Sequence, residues 1–147
     1  MRRFAFAAAL VLATATVAGA TGGFFCEAKD ENLTFSTSGG ISHGMGGAIL
    51  DYTAELEITA QVAPKALRNP VLDEGLVHHW LDYPELRLHF YAETTAEEEF
   101  ASLDLILKTE ATEDDDLTYK GQYTLSIFDG ATGEVFTLTG DVTCGGE

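Results

Sequence analysis

Apolar and polar residues alternate with a period of two along most of the chain beyond residue 20, the spacing of strands with one buried and one solvated face. The longest run covers 50–62. Leu50, Tyr52, Ala54, Leu56, Ile58, Ala60 and Val62 share one side, with Asp51, Thr53, Glu55, Glu57, Thr59 and Gln61 on the other. The same rhythm sets Leu33, Phe35 and Thr37 on one face. It returns in Leu86, Leu88, Phe90 and Ala92, and again in Ala101, Leu103, Leu105 and Leu107. Two last runs, Leu117 to Ile127 and Phe136 to Cys144, complete the series, and Phe24 with Cys26 marks a first short strand.

Turn residues separate these runs. Asp129-Gly130-Ala131-Thr132-Gly133 reads as a hairpin loop, because glycine reaches positive φ without steric cost. Glu110 to Asp116 reads as an acidic loop, and Ser38 to Gly47 as a glycine-rich connection. The strands 100–109, 117–128 and 134–144 are then expected to form a meander.

One stretch departs from the rhythm. In 64–82, Asn69-Pro70 resembles a helix cap followed by a first helical position, and Asp73 and Glu74 would sit in the first turn, where the helix dipole favours anions. Leu72, Leu76 and Trp80 recur at a spacing of four, although Gly75 weakens a helix and Val77-His78-His79-Trp80 suits a strand equally well. The pattern as a whole predicts an all-β fold, an antiparallel sandwich or closed barrel of about seven to eight strands, with a short helical crossover near 64–82.

The N-terminus changes how the cysteines read. Arg2 and Arg3 precede an apolar run ending in Ala18-Gly19-Ala20, the order of a cleavable export leader. Residues 1–20 are expected to be removed and 21–147 to fold as one β domain, periplasmic or secreted. In an oxidising compartment Cys26 and Cys144 have only each other to pair with. They lie 118 positions apart, so a disulfide would make the first and last strands neighbours.

Charge narrows the function. The chain carries 24 acidic against 8 basic residues, a net −16, which excludes non-specific attraction to nucleic acid or to an anionic membrane surface. The outward acids Asp51, Glu55 and Glu57 repel one another unless a neighbouring Arg87 or Lys120 answers them. With Trp80, Arg87 and His89 they form the candidate surface for a basic protein or peptide. Metal binding is the alternative, through His78, His79 and His89 or through the acidic loop 110–116. Adjacent histidines point apart on regular elements, and the acidic loop lacks the spaced carboxylates of a calcium loop. His43 and Met45, soft donors in the glycine-rich connection, are a weaker copper candidate, and the acidic run 97–99 reads as solvated. No nucleophile elbow, zincin motif or phosphate loop is present, so no catalytic residue is assigned. The expectation is an exported, acidic, monomeric, non-catalytic binding module without a cofactor, a divalent metal being the alternative.

Overall fold

Every alternating segment becomes a strand in a computed structural model, which describes residues 21–42, 47–95 and 99–146. The strands are β1 (Thr21–Lys29), β2 (Leu33–Ser42), β3 (Ala48–Ile58), β4 (Leu76–Asp82), β5 (Glu85–Glu93), β6 (Ala101–Thr112), β7 (Asp115–Asp129) and β8 (Glu134–Gly146). They form one antiparallel sheet in the order β3-β2-β1-β8-β7-β6-β5-β4, curled into a nearly closed barrel. Inside lie Leu33, Phe35, Leu56, Ile58, Leu88, Phe90, Leu103, Leu105, Leu107, Leu125 and Ile127, all buried. Two inward threonines satisfy their hydroxyls on backbone carbonyls: Thr37 donates to Thr53 at 2.7 Å and Thr109 to Leu86 at 2.8 Å. Residues 1–20, where a leader is expected, His43, Met45 and Glu97-Glu98 lie outside the described residues. Among the described residues no helix is long and apolar enough to cross a membrane.

β1–β3 form one meander and β4–β8 another. They meet where β1 pairs with β8 over four residue pairs, from Phe24 opposite Gly146 to Glu27 opposite Thr143. Cys26 and Cys144 are directly opposed there, with Cα atoms 3.9 Å apart, and they form a buried disulfide. The expectation that the terminal strands are neighbours holds.

Three details differ from the sequence reading. The crossover 64–82 holds a single 3-10 turn, Lys65–Leu67, and no helix follows Asn69-Pro70; Leu76–Asp82 is a strand. The edge of β5 offers a ladder to Leu76 and to His78 through Asp82, which outweighs the weak helical signal around Gly75. Gly75 closes a turn by donating to Leu72 O at 2.9 Å, and its carbonyl accepts from Tyr91 N at 2.7 Å. A Cβ at Gly75 would come within 2.9 Å of Tyr91 O, so the close approach itself requires glycine.

In β3 the alternation slips by one. Ser38 and Gly40 pair with Thr53 and Leu50, leaving an extra residue on β3, and Asp51 takes φ 45°. Ile49 therefore packs against the core, while Leu50 is 41% exposed. Ala60 and Val62 lie beyond the end of the strand. Finally, the glycine-rich and acidic connections are shorter than they read. β2 extends to Ser42, and the β6–β7 turn lies between Thr112 and Asp115.

One end of the barrel is closed by a polar latch. Tyr123 on β7 is fully buried, and its hydroxyl donates to Asp30 Oδ2 at 2.5 Å while Asn32 Nδ2 donates to it at 3.3 Å. Asp30 Oδ1 accepts the backbone N–H groups of Asn32 and Leu33, fixing the β1–β2 turn. Gly140 leaves the space they occupy, since a Cβ there would lie 2.1 Å from Asp30 Oδ2. Partial burial pushes the Asp30 carboxyl up, but its hydrogen bonds to Tyr123, Asn32 and Leu33 outweigh this and hold it below its usual 3.8. Burial, and then the Asp30 acceptor, push the Tyr123 phenol up to about 12.

A raised phenol stabilises the fold below its unfolded value of 10, and that contribution disappears as pH climbs from 10 to about 12. A depressed carboxyl contributes above 3.8 and loses that contribution as pH falls below it. Tyr123→Phe is expected to cost about 1–3 kcal/mol at neutral pH by stranding its partners. It should also remove the alkaline component between pH 10 and 12. Urea denaturation of both proteins across pH checks both effects.

Candidate functional site

The bulge that sets β4 against β5 decides which histidines meet. Leu76 pairs with Phe90 but His78 pairs with His89, so Val77 is the extra residue. From there His78 and Trp80 share the outer face with His89 and Arg87, while His79 and Leu81 oppose Leu88 and Leu86 on the inner side. His79 Nε2 lies 3.1 Å from Gly47 O. The three imidazoles are therefore divided, two outside and one inside. Among the described residues no group of three or more His, Cys, Asp or Glu gathers closely enough to share a metal ion.

The outer pair borders a hollow of about 220 Å³, lined by His78, Trp80, Arg87, Leu88, His89 and Ile106. Trp80 is 47% exposed at its rim. His89 Nε2 is 2.6 Å from Asp104 Oδ1, which orients the ring, and Arg87 donates to Glu85 Oε1 at 2.5 Å. Lys108, opposite Arg87 on β6, adds a further cation nearby. In this strongly acidic chain the hollow is thus edged by nitrogen donors and an indole.

The acidic column of β3 lies elsewhere. Glu55 is opposite Ser36 and Glu57 opposite Thr34, so β2 presents hydroxyls and no cation. The braces expected from the sequence are on other strands. Arg87 on β5 pairs with Glu85, and Lys120 on β7 stands between Glu110 and Thr143. β3 is an edge of the sheet, so topology denies it a second neighbouring strand that could have supplied them.

Glu55 and Glu57 instead border a groove of about 480 Å³. Thr34, Ser36, Ala54 and Leu56 line one side of it, and residues 69–73 of the crossover line the other. Asp73 adds a third carboxylate. The crossover wall and Asp73 were missed by the sequence reading, which expected Asp73 to serve a helix start. Asp51 sits in the bulge of β3 and borders neither cavity. The six-residue candidate surface thus separates into an acidic groove holding Glu55 and Glu57 and a hollow holding Trp80, Arg87 and His89.

The acidic stretch 110–116 is mostly strand around a tight turn. Asp115 accepts from Leu117 N at 2.9 Å and from the Thr118 hydroxyl at 2.8 Å, which hold its carboxyl below the usual range. Its oxygens are therefore engaged in fixing the start of β7.

No protein-family model matches the chain, and comparison with curated proteins and with solved structures finds no significant match to it.

The two adjacent histidines should respond differently to substitution. His79→Ala removes a contact that ties β4 to Gly47 and is expected to cost about 1 kcal/mol. His78→Ala, on the exposed face, should stay within about 0.5 kcal/mol of the parent. Parallel chemical denaturation of the two variants measures the difference.

Proposed function

We propose that this protein is a non-catalytic binding module for a basic protein or peptide, working as a monomer in an oxidising compartment outside the cytoplasm, and that the groove beside β3 receives the partner. The observation that carries this reading is the set of unanswered carboxylates. Glu55 and Glu57 face hydroxyls across the ladder, and Asp73 lines the same groove from the crossover. Like charges held together on a sheet disfavour each other, and a cationic ligand relieves that cost. The net charge of −16 adds long-range attraction for a basic partner and speeds encounter at low ionic strength. The disulfide is compatible with export, as the N-terminal segment suggests.

Exposed ion pairs contribute only about 0.2–1 kcal/mol each, so the carboxylates select and orient a partner more than they hold it. Titration of the protein with a fluorescent lysine-rich peptide tests the proposal. Binding is expected at low salt, with loss near 1 M, where the screening length falls to about 3 Å. Removing two ion pairs by Glu55→Gln with Glu57→Gln should weaken binding by about 2- to 30-fold. Affinity indifferent to salt and to both substitutions would contradict the assignment.

A further inference from the structure

The barrel has a seam, because β3 and β4 end the sheet order. Ile58 N donates to Arg68 O at 2.8 Å, which shows the direction of that amide: away from β2 and toward the seam. Backbone groups in an antiparallel strand alternate in direction, so Leu56 and Ala54 direct theirs the same way. The seam is tied at both ends of this stretch. Beyond Ala54, the Tyr52 hydroxyl accepts from Leu76 N at 2.9 Å and donates to Leu72 O at 3.0 Å. Beyond Leu56, the Ile58–Arg68 bond closes it. Between these ties, no strand of the described residues pairs with the outer edge of β3, and the groove of about 480 Å³ opens there.

An open strand edge is a template for another strand. What occupies this one follows from its flanks. A second copy joining edge to edge would set Glu55 and Glu57 beside the same carboxylates, an arrangement that like charges oppose. A basic chain meets no such opposition. Its side chains would alternate as those of any strand do. Those level with Glu55 and Glu57 would stand on the outer face, and those level with Ala54 and Leu56 would turn inward toward buried Leu72.

We propose that the partner adds an extended segment to β3 as an antiparallel strand, hydrogen-bonded to the main chain of Ala54 and Leu56, with the pattern basic-apolar-basic. This rests on the acidic-groove reading and specifies its ligand: lysine or arginine at alternate positions, with small or β-branched apolar residues between. Two hydroxyls of β2, on Thr34 and Ser36, border the same groove beneath the basic side chains.

The test uses the full-length protein and the peptide acetyl-Lys-Val-Lys-Val-Lys-amide, with a counterpart N-methylated at both valines. The two carry the same charge, but the second lacks the donors that would face β3. The unmodified peptide is expected to bind and to slow amide hydrogen exchange at Ala54 and Leu56, while the methylated one binds at least about tenfold more weakly. Equal affinity of the two, or unchanged exchange at Ala54 and Leu56 in the saturated complex, overturns strand addition. If equal binding is nonetheless lost with Glu55→Gln and Glu57→Gln, the acidic groove survives and only the strand geometry falls. If neither peptide binds, both fall.

Discussion

Cys26 and Cys144 face each other across the short ladder of β1 and β8, and the barrel depends on that junction. Three strands come from the first part of the chain and five from the rest, each set built from local antiparallel pairs. Closing them into one sheet requires the two termini to meet, an expensive long-range event for a chain of this length. Four residue pairs offer few contacts for that purpose. A covalent bond within them removes the loop-closure entropy of a 118-residue separation from the unfolded state, about 4–5 kcal/mol in the chain-entropy account.

The same topology explains where the molecule is open. Because the terminal strands pair with each other, the two strands flanking the long crossover become the sheet edges. The crossover partly compensates, lending Arg68 O to Ile58 and Gly75 O to Tyr91 and stationing Leu72 beneath the Tyr52 hydroxyl. Rings pack behind it, with Phe90 contacting both Tyr52 and Phe35 edge-on. Closure by a loop is incomplete, and the groove beside Ala54 and Leu56 is what remains. The carboxylates of Glu55 and Glu57 stand at this edge, and in the proposed function they would oppose edge-to-edge pairing of two copies and favour a cationic partner. The closed junction and the open edge therefore trace to one choice of strand order.

Much of the fold was readable because the inner face of a barrel demands strict alternation, and β5, β6 and β7 obey it over their whole central length. Leu103, Leu105 and Leu107 are buried as their parity requires. The failures have a common cause. Alternation says which residues share a face, but not which strands lie beside each other, nor where an extra residue resets the count. The bulge at Asp51 exchanged Leu50 for Ile49, and the one at Val77 placed His78 beside His89 while turning His79 inward. Neither extra residue is itself a glycine or proline; the glycines at the first bulge, Gly39-Gly40, lie opposite it on β2, where pairing must be known before they can be read as its mark. The candidate surface suffered similarly. Glu55 and Glu57 were correctly placed on an outer face, but Arg87 belongs to another neighbourhood because β3 has no strand on its far side.

Native-state hydrogen exchange on the oxidised protein and on a Cys26→Ser, Cys144→Ser variant tests this account most directly. With the disulfide intact, the slowest amides of β1–β2 and of β6–β7 should open with the same free energy, as parts of one cooperative unit. In the variant, the β1–β2 amides are predicted to open well before those of β6–β7, the two meanders having come apart at their junction. Coincident opening of both sets without the disulfide would contradict the claim that this bond unites the barrel.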